Sequence, residues 1–143
     1  MSTEENKAIA RRVTEEIWEK GNLAAIDELI APNFVFRDPN FEVHGRDGYK
    51  QMVSATRAAF PDIRATIDDQ IAEGDKVVTR FTQHCTHKGE LVWWGIAPTG
   101  KQVSITGSET VRIEDGKIVE RWVNLDLLGM MQQLGVVPSL GSP

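Results

Sequence analysis

Cysteine is nearly absent: the chain of 143 residues has one, Cys85. A single thiol closes no internal disulfide and supplies no cysteine framework for a metal. With no obvious base near it in the sequence, Cys85 reads as a small core residue. Clustered positive charge is also absent. Lys and Arg number 16 against 21 Asp and Glu, a net charge of -5, with the cations scattered along the chain. No basic stripe is present to neutralise phosphates, which argues against a nucleic-acid partner. No apolar run approaches the roughly 18 residues a membrane helix needs, and residues 1–6 are too acidic and polar for a secretory leader. A cytoplasmic protein without a membrane partner is expected. Phosphate loops, nucleophile elbows and dinucleotide fingerprints are missing too; the glycines sit in turns. His44, His84 and His87 form no HxxxH or HExxH pattern, and His84 and His87 fall on opposite faces of one strand, so no metal site is expected.

What is present suits one globular domain over residues 1–138, with 139–143 expected to be a disordered tail. Hydrophobic residues make up 41% and charged residues 26%, enough of each for a packed core and a solvated surface. Residues 3–20 read as an amphipathic helix, capped by Ser2 or Thr3, with Ile9, Val13 and Ile17 on one side, Trp18 beside them, and Gly21-Asn22 as the stop. A second helix spans 23–31, ending before Pro32. Phe34-Val35-Phe36 is a short strand closed by Asp38-Pro39-Asn40. A third helix over 45–60 carries Tyr49, Met52, Val53, Thr56 and Phe60 on one side.

From Pro61 onward the chain is β. Residues 63–71 alternate, placing Ile63, Ala65, Ile67, Asp69 and Ile71 on one face; Glu73-Gly74-Asp75-Lys76 is a hairpin turn. Long strands follow over 77–87, 102–114 and 117–126, with the apolar stretch Leu91-Val92-Trp93-Trp94-Gly95-Ile96 between the first two. Helices first and an antiparallel meander after is an α+β order rather than alternating βαβ. A strongly bent sheet wrapped on a long helix makes a cone with one open mouth, and 127–134 is placed to close its far side.

Two carboxylates stand out. Glu109 falls in the apolar row Val103, Ile105, Gly107, Glu109, Val111, Ile113. A buried carboxylate needs a partner or becomes neutral. Glu109 therefore meets Arg37, Arg80 or Arg121, faces a ligand cavity, or lies on a solvent face if the register differs. Asp126 ends the last strand, whose even positions Glu120, Trp122, Asn124 and Asp126 share one face. Three polar groups and a tryptophan suit a cavity wall better than a core. Asp126 is then either an acid in that cavity or the cap of a helix starting at Leu127. Trp93, Trp94 and Trp122 offer a flat apolar lining for an aromatic or polycyclic ligand, or else belong to ordinary core or a dimer interface. Alternation points one of Trp93 and Trp94 inward and one outward. His87 stands either at the cavity mouth or on the surface, steadying a turn.

The chain resembles the SnoaL-like polyketide cyclases, often called ester cyclases, of the NTF2-like superfamily. The residues that carry the resemblance run from Glu15-Glu16-Ile17-Trp18-Glu19-Lys20-Gly21-Asn22-Leu23 through Phe34-Val35-Phe36-Arg37-Asp38-Pro39 and Phe60-Pro61-Asp62-Ile63. They continue in Glu73-Gly74-Asp75-Lys76-Val77-Val78, Thr86-His87-Lys88-Gly89, Pro98-Thr99-Gly100-Lys101, Gly116-Lys117-Ile118-Val119-Glu120 and Gln132-Gln133-Leu134-Gly135. The resemblance implies an NTF2-like α+β cone with a deep apolar pocket, a homodimer, and catalysis without metal or cofactor. It implies aldol closure of a polyketide ring by an acid/base aspartate on the last strand, matching Asp126; related members hydroxylate polycyclic aromatics or isomerise their substrates. Where many relatives have a pocket His, this chain has Arg37, and where many have Glu-His-Trp it has Glu120-Arg121-Trp122. The loop before Ala97 is also longer. Arginine does not exchange protons near neutral pH but holds an enolate, ester or carboxylate well. Arg37 and Arg121 are thus the expected oxyanion partners of Asp126. Glu109, Trp122, Asn124, His87, Trp93, Trp94, Phe36, Tyr49 and Phe60 are the expected substrate-binding residues. A carrier that shields a hydrophobic ligand without changing it is the alternative to an enzyme.

Overall fold

Ser2 starts the first helix with a capping box: its hydroxyl accepts from the Glu5 amide while the Glu5 carboxylate reaches back to the Ser2 amide. In the computed structural model, which describes residues 2–138, α1 (Thr3–Arg12) runs without a break into a π-helical stretch, Val13–Glu19. The tail expected over 139–143 lies outside the described residues. The sequence suggested one regular helix to residue 20; the course is the same but the winding is not. The amide of Lys20 bonds to the carbonyl of Glu15, five residues back, at 3.1 Å. Val13 and Ile17 remain buried through this stretch, and π-segments of this kind often sit at functional sites. Arg57 from α3 (Gly45–Ala59) closes the helix end by donating to the Trp18 and Glu19 carbonyls, both at 2.7 Å. The second helix, α2, is shorter than expected, Ala24–Leu29.

The strands are β1 (Ile30–Asp38), β2 (Phe41–His44), β3 (Arg64–Glu73), β4 (Lys76–Thr86), β5 (Gln102–Glu114) and β6 (Lys117–Leu125). They form one six-stranded sheet in the order β2-β1-β6-β5-β4-β3. The antiparallel meander predicted for the second half is present, but the sheet as a whole is mixed, because β1 pairs with β6 in parallel. A parallel pair requires a long crossover, and here α3 and the whole meander supply it. The fold is α+β, as the order of elements implied.

β3 departs from simple alternation. Its pairing with β4 shifts between Ile67 and Asp69, so a bulge at Asp68 swaps the faces beyond it. Gln70 and Ala72 turn partly inward and Ile71 is 63% exposed, on the face opposite to the one expected. On β5 the row Val103, Ile105, Glu109, Val111 and Ile113 is buried as read from the sequence.

Two apolar clusters result. One joins the helices to the β1–β6 end of the sheet around Ile17, Ile26, Phe34, Tyr49 and Val111. The other gathers Phe60, Cys85, Leu91, Ile105, Met130 and Leu134 beneath α4 (Leu127–Leu134). Gln133 fixes α4 to β5 as if it were a strand neighbour, accepting from the Ser104 amide and donating to the Ser104 carbonyl, both at 2.8 Å.

Candidate functional site

A cavity lies between the two clusters and takes its walls from both. Phe36, Met52 and Val123 face it from one side, and Phe60, Leu91, Ile105 and Met130 from the other. Its polar lining is sparse: Asp38, Thr56, Gln83 and Arg121. Phe41, Trp93 and Trp94 form the rim, with the Phe41 and Trp93 rings stacked at 6.2 Å and 18°. The cavity measures about 100 Å³, less than the roughly 300 Å³ at which small-molecule pockets begin. A polycyclic ligand therefore needs the rim to part.

The rim sits on a rigid neck. Segment 91–96, apolar enough to suggest a strand, is a turn closed by the Leu91–Ile96 bridge. The amides of Lys88 and Gly89 both donate to the Ala59 carbonyl. A Cβ on Gly89 would lie 2.1 Å from the Ala58 carbonyl oxygen, so only glycine fits there. With its ends pinned, the turn carries both Trp93 and Trp94 at the mouth, about half exposed, instead of splitting them between faces.

At the inner wall Arg121 donates through Nε to the Glu109 carboxylate, and both residues are buried. The guanidinium lies 5.1 Å from the centre of the Phe36 ring and 5.4 Å from that of Trp18, a cation held against two aromatic faces. Burial is the largest influence and works to lower the Arg121 pKa, but Glu109 and Tyr49 beside it together outweigh burial and the net shift is upward. The cation persists at any working pH. Nε is committed to Glu109, and the guanidinium also approaches the Tyr49 hydroxyl behind the wall. Trp18 donates to the Tyr49 hydroxyl at 2.9 Å, and burial pushes the Tyr49 phenol up to about 12, so it is neutral. Glu109, Trp18, Gln83 and Arg121 also line a smaller adjoining hollow of about 20 Å³, room for one water.

The face of β6 differs from expectation. Pairing of Arg121 with Val111 and of Val123 with Glu109 puts the odd residues Arg121, Val123 and Leu125 inside. Paired residues share a face, and the apolar row of β5 dictates which. Trp122 and Asn124 therefore stand on the outer face and do not line the cavity, and Glu120 joins them there. Arg37 is also outside, bonding Glu120 at 3.0 Å and Glu42 at 2.7 Å. Asp126 is exposed and caps α4, its Oδ1 accepting from the Gly129 amide at 2.9 Å. The first turn of α4 has unpaired amides, and a carboxylate satisfies one of them. His87 is fully buried yet does not line the cavity: its Nδ1 accepts from the Thr99 amide at 3.2 Å and fixes the loop's neck. Tyr49 lies one layer behind the wall, holding Trp18. Of the candidate site residues, Phe36, Phe60, Trp93, Trp94 and Arg121 line the cavity, with Glu109 behind Arg121.

Sequence reading passed over Asp38, Trp18 and Gln83. For Asp38 a signal existed: if Phe34 and Phe36 point inward, period two carries Asp38 inward as well. Trp18 reads from the sequence as part of the first helix's apolar face, and the structure adds that it lines the cavity. Among the described residues no group of three or more His, Cys, Asp or Glu is placed to hold a metal, and no helix is long and apolar enough to cross a membrane.

Comparison with known proteins supplies the family. The sequence pattern of SnoaL-like polyketide cyclases matches residues 8–134. This chain belongs to the SnoaL-like polyketide cyclase family. Its fold is similar to that of AclR, a proposed hydroxylase from Streptomyces galilaeus, with 30% identity, 99% of this chain and 87% of that one covered, and a TM-score of 0.85. It is also similar to a proposed polyketide cyclase from Acidithiobacillus ferrooxidans, with 34% identity, coverage of 95% and 99%, and a TM-score of 0.80. A third similar structure is IdmH from Streptomyces antibioticus, with 32% identity, coverage of 91% and 98%, and a TM-score of 0.78. None of the curated proteins matches the chain in sequence.

Proposed function

We propose that this member of the cyclase family closes a ring in an aromatic polyketide or similar hydrophobic carbonyl compound by acid/base catalysis without a cofactor. The observation that carries the reading is the Arg121 cation at the wall of a largely aromatic and aliphatic cavity, its Nε held by Glu109. Aldol closure passes through an enolate, and fixed donors in a water-poor site stabilise that oxygen far better than water does. Neither Asp126, expected as the acid/base, nor Arg37 lines the cavity, which leaves Arg121 as the oxyanion partner in this proposal. Asp126 supports the site through α4, which brings Leu127 and Met130 to its wall.

A second reading is favoured by the similarity to AclR: hydroxylation of a polycyclic ring in the same cavity. Incubating the protein with aromatic polyketides in air, with mass spectrometry of the products, separates the readings. Ring closure gives an isomer or loss of one water, and hydroxylation adds one oxygen while consuming dioxygen. Recovery of unchanged ligand would contradict both and leave a carrier. A homodimer is part of the proposal, supported by Ile71 and Val78, which pair on the outer face of the sheet and are exposed. Sedimentation as a monomer at micromolar concentration would contradict it.

A further inference from the structure

The ring-closing reading needs a base for the carbon acid, and the cavity supplies one at a position that the sequence reading did not consider. We infer that Asp38 is the catalytic base of this site. Asp38 lines the cavity, is half-buried, and follows Phe36 on the same face of β1. Phe36 is paired with Arg121 across β1 and β6. Two residues along a strand cover about 6.6 Å and adjacent strands lie about 4.8 Å apart, which sets Asp38 and Arg121 backbones roughly 8 Å from each other. A ketone with its oxygen on Arg121 therefore presents its neighbouring carbon toward Asp38.

The carboxylate is also prepared for the task. Its Oδ1 accepts from the Asn40 amide at 2.9 Å and from the Asn40 side chain at 3.2 Å. These bonds fix its orientation from the tight turn into β2. Among the described residues Oδ2 makes no hydrogen bond and Asp38 joins no ion pair. The nearest arginine in sequence, Arg37, points to the other face and is occupied by Glu120 and Glu42. One oxygen held and one free is the arrangement a proton-abstracting carboxylate needs. Phe41, Trp93 and Trp94 surround it at the rim, where ligand entry expels water.

The step balances within the site. Asp38 takes the proton from the carbon next to a ketone, and the C–H electron pair becomes an enolate whose oxygen is held by Arg121. The enolate carbon bonds to a second carbonyl carbon of the same molecule. The alkoxide so formed takes its proton back from Asp38, which returns to the carboxylate.

The inference rests on the proposed function, and a surrogate ketone tests the two separately. 2-Tetralone, a bicyclic ketone with acidic hydrogens beside its carbonyl, is incubated with the protein in D2O, exchange is followed by proton NMR, and binding by tryptophan fluorescence. Wild-type protein is expected to bind it and accelerate exchange. Asp38→Asn is expected to keep binding and the fold but to lose about 10²-fold or more of the enzymatic exchange rate, the scale of one general base. Asp126→Asn, which still caps α4, is expected to retain most of it. Exchange by Asp38→Asn at the wild-type rate, or its loss in Asp126→Asn instead, overturns the inference. Binding without exchange in the wild type overturns it too while leaving the cavity as the ligand site. No binding at all overturns the proposed function along with it.

Discussion

On the inner face of β6, Arg121 meets Glu109; one residue earlier, on the outer face, Glu120 meets Arg37 at 3.0 Å and Arg112 at 2.9 Å. The two sets share residue types and both draw on β5 and β6, and they differ in what surrounds them. Glu109 and Arg121 are shut among Trp18, Phe36 and Tyr49, where an unpaired charge is costly and a free donor acts at full strength. Glu120 sits between arginines whose side chains reach water. Burial works to raise its pKa, but the hydrogen bonds from Arg37 and Arg112 outweigh it and the net is downward. The inner pair directs a charge at a ligand, and the outer network ties β1, β5 and β6 together.

Breaking the inner pair is expected to have the largest effect on stability. Arg121→Met leaves Glu109 buried without a partner and should cost about 3–5 kcal/mol in urea unfolding. Glu109→Gln together with Arg121→Met should recover much of that loss, since replacing both members of a buried pair is often close to neutral. Failure of the double substitution to recover stability would mean that the pair does more for the fold than for the ligand.

Removal of the cap comes next. Asp126→Ala should destabilise by about 1 kcal/mol, and Asp126→Asn by much less, in thermal unfolding. Trp93→Ala removes the ring stacked on Phe41, a contact worth about 1 kcal/mol. Stopped-flow fluorescence should show a bicyclic ligand entering and leaving faster. An unchanged entry rate would argue that the rim does not gate the cavity.

The outer network should give the smallest change, and one that depends on conditions. Glu120→Gln is expected to lower stability slightly at low salt and less at high salt. The sign with pH follows from the lowered pKa of Glu120, and of Asp62, which Thr86 holds down through its hydroxyl and amide. Both groups add stability above the ordinary carboxylate range near pH 4, and lose it as the pH falls through their lower folded values. Glu120→Gln should therefore flatten the acid limb of the stability curve, with its deficit present at neutral pH and vanishing as the pH falls through the lowered folded value.

Much of the fold was legible because its signals are local and repeated. The capping box at Ser2, the apolar face of α3, the Gly74-Asp75 turn and the alternating row of β5 each follow from a few adjacent residues. The site was less so. Reading Glu120, Trp122, Asn124 and Asp126 as the cavity face was a one-residue error of face, and only pairing with β5 decides that choice. The bulge at Asp68 and the π-turn before Trp18 shift side chains by one position without leaving a residue pattern. The parallel contact of β1 with β6 joins segments distant in sequence, so its placement of Asp38 beside the Arg121 wall could be read only from the assembled sheet.

The central claim is that Arg121 offers its charge to an oxygen bound in the cavity. Visible absorbance of 4-nitrophenol bound to the protein tests it, because the ionised form of this aromatic phenol is coloured. Compared across pH in the wild type and in the paired Glu109→Gln, Arg121→Met variant, the bound phenol should ionise about one pKa unit lower in the wild type, a difference of about 1.4 kcal/mol. Equal apparent pKa values in the two proteins, with binding retained in both, would contradict the account.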